Sequence, residues 1–517
     1  MGKAKRLYSL VLCVALLFSI LPVAGLAEGG EKVIVYGLST SWNRLMPYDL
    51  SAMNTVIPND KIFDRLTYIS DEGMGLRAAK EIQASEDGKT FTITLREESK
   101  WHDGTPVTSA DWLWTFQTVS HPDFTGVSKS YLSSFTGTTG SGAVAEGETI
   151  GVEAPDAYTL VFHLKEANYP EGFFTPNNWY LPVMPKHLLE SIPPAELNEH
   201  EFWRNPIGSG PCKFVSEIAG TELVLQANDD YYLGRPQFDT LVYKVVDSSS
   251  APTALLAGEI DTCFAALAPD VALSLDGQNG LHADKMGSAS GNQLIALNNK
   301  IFPPEVRKAM SLAIDKQMIV DSLYSGAGEV TESFLLPSSI YAHKDLPKGR
   351  DVEKAKEMMA ASGFDTSKSY TLGASSGINA QVAVIVQQNL AEIGLTFEIV
   401  TGEGASLMAQ ARNEEINSML LGFTANPCPL YMMAHMNSET SNYSHITDPM
   451  VYEWQVKMSS EQDEAKRVAY AMEAQEFYAE ECPYIPLFQR NIYMVASEKL
   501  HNITVGNSDA CWEWEVR

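Results

Sequence analysis

The stretch from Arg77 to Phe116 leaves little choice of fold. Glu86-Asp87-Gly88-Lys89 is a tight-turn tetrapeptide, because Gly88 accepts the positive φ that other residues resist. Phe91, Ile93 and Leu95 then alternate with Thr92, Thr94 and Arg96, the period of a strand with one buried face. A second turn, Asp103-Gly104-Thr105-Pro106, leads to Thr108 or Ser109 as N-cap of a helix that carries Trp112, Leu113 and Phe116. Turn, strand, turn and capped helix in such close order make the local architecture α/β.

The same logic extends along the chain. Val33 to Tyr36 is a continuous apolar run, as in a strand buried on both faces, and it leads into Ser39, Thr40, Ser41 and Trp42. Asn59 to Leu66 reads as a helix, and Phe124 to Gly147, rich in Gly, Ser and Thr, as a long surface loop. Asn205 to Phe214 holds Gly208 and Gly210, where the backbone turns sharply beside a neighbouring element. It fails as a phosphate loop, because no GK[ST] follows and a strand comes next. Thr221 to Asn228 is that strand. The pattern changes near Gly291: Leu294 to Asn298 reads as a buried strand, and Pro304 opens a helix with Val306, Met310, Ala313 and Ile314 on one face. Tyr370–Gly373, Val382–Ile393 and Leu395–Val400 read as strand, helix and strand, and Asp463 to Glu480 as a charged amphipathic helix.

Several of these segments carry a resemblance. Asp87 to Trp112 (DGKTFTITLREESKWHDGTPVTSADW) is similar to the hallmark of the family 5 solute-binding proteins, the extracytoplasmic receptors of peptide and nickel ABC importers. Leu45-Met46-Pro47, Asn205–Phe214, Asn228–Pro236, Leu255–Asp261, Val306–Lys316 and Cys482–Phe488 resemble further motifs of that family, in its order and approximate spacing. The resemblance implies a two-lobed α/β periplasmic-binding-protein fold, type II-like, with an extra subdomain in lobe one and a central ligand cleft. Lobe one is expected at 28–290 plus 489–517, with the subdomain near 73–185, and lobe two at 291–488. The lobes then join at two crossings, near Ser288–Gln293 and Pro486–Arg490. The implied partners are a small solute, foremost a peptide, and the permease subunits of an ABC transporter; the protein is expected to be a monomer.

Charge narrows the partners further. A chain with a formal charge of −28 is unsuited to nucleic acid or anionic lipid, whose binding rests on Lys and Arg. Residues 1–27 read as a cleaved signal peptide: Lys3, Lys5 and Arg6, an apolar core, then Gly25-Leu26-Ala27. Export to the periplasm or the outer face of the cell membrane follows. Cys13 is not a lipobox cysteine, because Leu12 occupies the small-residue position before it. Cys212, Cys263, Cys428, Cys482 and Cys511 lack CxxC or zinc spacing and read as buried, inert thiols. No cofactor or metal is expected, and Glu259 and Asp261 read as turn residues.

One enzyme signal competes. Gly373-Ala-Ser375-Ser376-Gly377 satisfies G-x-S-x-G after a strand and before a helix, and Asp448 and His501 follow in the order of a secreted serine hydrolase. The order of the preceding elements is wrong for that fold. The same geometry suits a ligand crevice, which makes Ser375, Ser376 and Asn379 pocket candidates. Ser39, Thr40, Ser41 and Trp42 join them from the loop after the first strand, where the family's loop faces the cleft; Trp42 either stacks on ligand or caps the core. Phe423, Thr424 and Asn426 lie where peptide-binding relatives resemble W-x-A-D, whose Asp pairs with the ligand's α-ammonium. Asn426 in that place points either to an amine met elsewhere or to an oligosaccharide or other amine-poor solute; as a bland alternative it caps the turn before Pro427.

Overall fold

The computed structural model describes residues 30–49, 53–70, 73–177, 181–264, 267–335, 339–346, 349–424, 428–430, 433, 442–503 and 510–517. Residues 1–27, expected to be a signal peptide, and Asn426 lie outside them. An 11-stranded mixed sheet organises the rest. Its strands in chain order are β1 (Val33–Leu38), β2 (Cys212–Ile218), β3 (Glu222–Ala227), β4 (Thr240–Val245), β5 (Thr262–Phe264), β6 (Leu281–Leu297), β7 (Gly328–Val330), β8 (Ser369–Ser375), β9 (Thr396–Gly402), β10 (Ser418–Thr424) and β11 (Tyr484–Ser497). Across the sheet they run β9-β8-β10-β6-β11-β5-β1-β4-β3-β2, with β7 also on β11.

Distinct apolar cores sit at the two ends of this sheet, one at the near end and two on the faces of the far end, because β6 and β11 are long enough to reach both ends. The first core gathers Ile34, Tyr36 and Leu38 of β1 with Leu241 and Tyr243 of β4. It continues into a four-stranded antiparallel sheet formed by Ala79–Ala84, Thr90–Leu95, Thr159–His163 and Val152–Asp156. Phe116, Phe135, Phe162 and Phe173 meet there edge to face or tilted, a geometry that favours aromatic rings beyond their burial. The chain end returns to this side: Trp514 lies in the first core, stacked 6.5 Å from Tyr36. The far end of the sheet packs on both faces. Ile295, Leu297, Ile485 and Leu487 serve one core, and Leu294, Ala296 and Tyr484 the other.

The hallmark residues earn their place by close approach. A Cβ on Gly208 would lie 1.9 Å from the Ile62 carbonyl oxygen, and one on Gly210 2.5 Å from that of Lys61, so only glycine fits. His102 ties the two motifs together: Nδ1 accepts from Gly208 N at 3.2 Å while Nε2 donates to Gly210 O at 3.0 Å. Thr108 is the N-cap of the helix Ser109–Val119, with Asp111 accepting from its backbone N at 2.9 Å.

Two expectations are corrected. The first helix spans Met53–Ile62 and not Asn59–Leu66; it tolerates Pro58 internally, and Gly210 N donates to the Ile62 carbonyl at 2.8 Å at its end. The stretch from Phe124 to Gly147 is not a purely surface loop, since Phe124, Leu132 and Phe135 are buried in the first core. The strand-helix-strand unit holds, as β8 and β9 around the helix Ile378–Ala391, and its strands pair in parallel. Cys212, Cys263, Cys428, Cys482 and Cys511 are buried thiols. Among the described residues no helix is long and apolar enough to cross a membrane.

Candidate functional site

β6 and β11 are the strands that carry the sheet from one core to the other. Their antiparallel ladder runs from Leu281↔Ser497 to Met286↔Ile492 and resumes at Gly291↔Arg490. Residues 287–290 therefore stand against Asn491 alone, an irregularity that bends a strand and weakens pairing locally. Just beyond it, the sheet buries amides. Asn292 Nδ2 donates to Phe334 O at 2.6 Å and its cross-strand neighbour Gln489 donates to Leu335 O at 2.9 Å. On the opposite face Gln293 Nε2, Tyr324 Oη and Arg490 Nε are buried without a hydrogen-bond partner.

The described residues among those expected to face ligand lie at or beside the ends of three strands, and two of them stand at this crossing. Phe423 pairs with Asn292 and Thr424 with Gly291, which brings the end of β10 to the crossing itself. Phe423 is half-buried against the core that holds Leu294 and Ala296. Ser375 ends β8, and its Oγ accepts from Asn379 Nδ2 at 2.8 Å; Ser376 beside it is exposed. Asn54 Nδ2 bridges Ser39 Oγ and Thr40 Oγ1 at the end of β1, and Ser41 is exposed. Trp42 is only 3% exposed and its Nε1 donates to Glu217 at 2.9 Å. Its ring is part of the first core, the capping role of the two that its sequence position left open.

The hydrolase constellation does not assemble. Ser375 meets Asn379, the Asp448 carboxylate accepts from Met450 N at the start of the helix Pro449–Ser460, and His501 stacks on His282 at 5.1 Å. A nucleophile without a base in hydrogen-bond reach is an ordinary hydroxyl.

Sequence reasoning missed a contact on the other side. Phe173 and Phe174 belong to the first core, yet Tyr169 is buried to 1% in the core of Leu294 and Ala296, among Cys428, Leu430 and Tyr341. The Arg467 guanidinium lies 4.0 Å from the Tyr169 ring centroid, and Cys428 Sγ 3.5 Å from its hydroxyl. Arg467 is held in place by the carbonyls of Glu461 and Gln462 at 3.1 and 2.8 Å. Gln462 Nε2 in turn donates to Asn168 O at 3.1 Å. Burial pushes the Glu171 carboxyl up, Arg467 only partly offsetting it and Glu464 adding to it. The one available signal, an aromatic before Pro170 at a helix start, says nothing about its partner.

Comparison with known proteins accords with this geometry. Residues 74–444 match the model of the bacterial extracellular solute-binding proteins, family 5. The chain is 29% identical over 517 residues to the oligopeptide-binding protein AppA of Bacillus subtilis, covering 92% of this chain and 88% of that one. The structure of AppA in complex with a nonapeptide superposes with a TM-score of 0.69 at 27% identity, covering 94% of this chain and 99% of that one. The ABC transporter substrate-binding protein CtaP of Listeria monocytogenes shares the fold, with a TM-score of 0.80 at 21% identity over 94% of this chain and all of that one.

Proposed function

The chain belongs to the bacterial extracellular solute-binding proteins, family 5, and from that premise we propose that it is the extracytoplasmic substrate-binding protein of an ABC importer, capturing peptides between two lobes and delivering them to a membrane permease. The observation that supports this best is the crossing: the cores at the two ends share one sheet through β6 and β11, and the ladder between those strands is interrupted at residues 287–290. Lobe one comprises 28–290 and 489–517 with its subdomain near 73–185, and lobe two 291–488. Cargo binds one lobe, the lobes close about the crossing, water leaves, and the closed form docks on the permease. Peptide is the favoured cargo because AppA, 27% identical in the superposed structure, holds a nonapeptide. Asn426, where the family's motif has Asp, supports an amine-poor solute as the second reading.

In this reading the protein is exported, its signal peptide removed after Ala27, and works as a monomer. Native mass spectrometry of the exported protein tests the central reading, because a closed cleft retains cargo. Peptide masses released on denaturation, and a smaller radius of gyration in solution scattering when peptide is restored, are expected. A saccharide mass would move the cargo to the second reading. Labelling of Ser375 by a fluorophosphonate would replace both with hydrolysis.

A further inference from the structure

We propose that Arg490, Tyr324 and Gln293 form an anion subsite at the crossing between the lobes, and that the cargo presents a carboxylate to it. The proposal rests on the reading of the protein as a lobe-closing receptor. Antiparallel pairing sets Gly291 against Arg490 and Gln293 against Phe488, so these side-chain positions share one face of the sheet. The Tyr324 ring lies 4.9 Å from that of Phe488, and the Arg490 charge acts on its phenol. A Cβ on Gly291 would fall 2.7 Å from Arg490 Nη2, so the glycine leaves the guanidinium room to lie against the strand.

The chemistry of the set is one-sided. Gln293 and Tyr324 are 2% and 4% exposed. Gln293 Nε2 and Arg490 Nε can only donate, and burial pushes the Tyr324 phenol up despite Arg490, so its hydroxyl stays protonated and able to donate at neutral pH. The other buried arginines each have a carboxylate or carbonyl partner, although Arg65 Nε itself makes no hydrogen bond among the described residues: Arg65 and Arg77 meet Asp60, Arg307 the carbonyls of Phe302 and Glu481, and Arg467 those of Glu461 and Gln462. Arg490 is half-buried with no carboxylate in ion-pair reach among the described residues, in a chain with 65 acids against 37 Lys and Arg. Acidic partners were abundant, yet the buried Nε of this guanidinium is left without one, and a buried donor without a partner is costly to keep. Its persistence where the lobes meet is explained if the compensating anion arrives with the cargo. A planar group with a single negative charge matches one guanidinium and two neutral donors.

The test compares wild type with Arg490→Gln and Arg490→Lys. Calorimetry uses a pool of tetrapeptides built from Gly, Ala, Leu and Phe, as free acids and as C-terminal carboxamides. Thermal unfolding of cargo-free protein is followed in excess succinate against chloride at matched ionic strength. Wild type should favour free acids at least about tenfold, the value of a charge-assisted hydrogen bond. Arg490→Gln should lose that preference, Arg490→Lys keep part of it, and succinate should raise only the Tm of the proteins that keep a cation. Cargo-free Arg490→Gln should melt no lower than wild type, since it sheds an uncompensated charge. An Arg490-dependent preference in either assay upholds the subsite, and its absence from both overturns it. Equal binding of acids and amides without a succinate effect leaves peptide capture standing, whereas a succinate effect with neither pool bound sinks peptide capture alone.

Discussion

Truncating Tyr169 should open the protein. The ring bridges the two halves: its chain neighbours Phe173 and Phe174 pack in the first core, whereas the ring itself is 1% exposed in the core of Leu294 and Ala296. Opening exposes it. An aromatic side chain buries roughly 150 Å² or more, which at about 25 cal/mol per Å² is close to 4 kcal/mol. The Arg467 guanidinium at 4.0 Å adds about 1 kcal/mol, and fixing the ring and drying its hydroxyl remove about 2 kcal/mol. A net of about 3 kcal/mol remains, on the order of a hundredfold in the ratio of closed to open forms. Tyr169→Ala should therefore weaken cargo binding on the order of a hundredfold by calorimetry, and should raise the radius of gyration at a cargo concentration that closes wild type. Tyr169→Phe keeps the ring and loses only the contact with Cys428 Sγ, a weak acceptor, so it should stay within roughly fivefold. If Tyr169→Ala matches wild type in both affinity and radius of gyration, the contact does not hold the halves together, and the reasoning fails.

Three other substitutions carry defined outcomes. The His102 pKa is lowered from 6.5 to about 4, mainly by burial, so its stabilising effect is complete above pH 6.5 and is lost as the pH falls toward 4. That loss has an upper bound of about 3 kcal/mol, and urea unfolding of His102→Gln should show a shallower decline over the window than wild type. The Glu171 carboxyl, raised in the docked state, favours closure below its ordinary pKa and ceases to as the pH rises through the raised one. Glu171→Gln should bind cargo more tightly than wild type at neutral pH and equally in acid, and equal affinity at both pH values would count against the docked geometry. Asn426→Asp should tighten a free-amine cargo by supplying a charged partner and weaken an amine-poor one by burying an unpaired carboxylate; no change at any pH would place residue 426 outside the pocket.

What the sequence disclosed follows from how local each constraint is. Gly208 and Gly210 were legible because a side chain at either meets the backbone at the end of the helix Met53–Ile62. The alternation of Phe91, Ile93 and Leu95 was legible because one strand face is buried and the other is not. The helix start at Met53 has no clear mark in the sequence, since Pro58 falls inside it and a proline is carried there only by a helix that other contacts hold. Phe124, Leu132 and Phe135 were lost in a run of Gly, Ser and Thr that resembles a solvated loop. Tyr169 had no such signal at all, since its hydroxyl contact is 259 residues away in the chain and no periodicity spans that distance. The donor set of Gln293, Tyr324 and Arg490 was equally silent, because an arginine in a sequence does not show whether it has a carboxylate beside it.

A receptor of this design must remain open when empty, and the Tyr169 contact by itself would close it. The opposing terms sit in the same place. Docking Tyr169 also brings Glu171 out of water beside Glu464, which raises its carboxyl, and it draws together halves of a chain whose formal charge is −28. Closure without cargo is thus a near-balance between one buried ring and the desolvation and repulsion of carboxylates. A ligand shifts such a balance only by what it gains in one state over the other. An anion received by Arg490 makes that gain at the crossing, where the β6–β11 ladder is already interrupted and the strands bend most readily. It compensates the guanidinium left unpaired there only once the lobes enclose it. The apolar contact at Tyr169 sets how far the protein closes, and the charge of the cargo decides when.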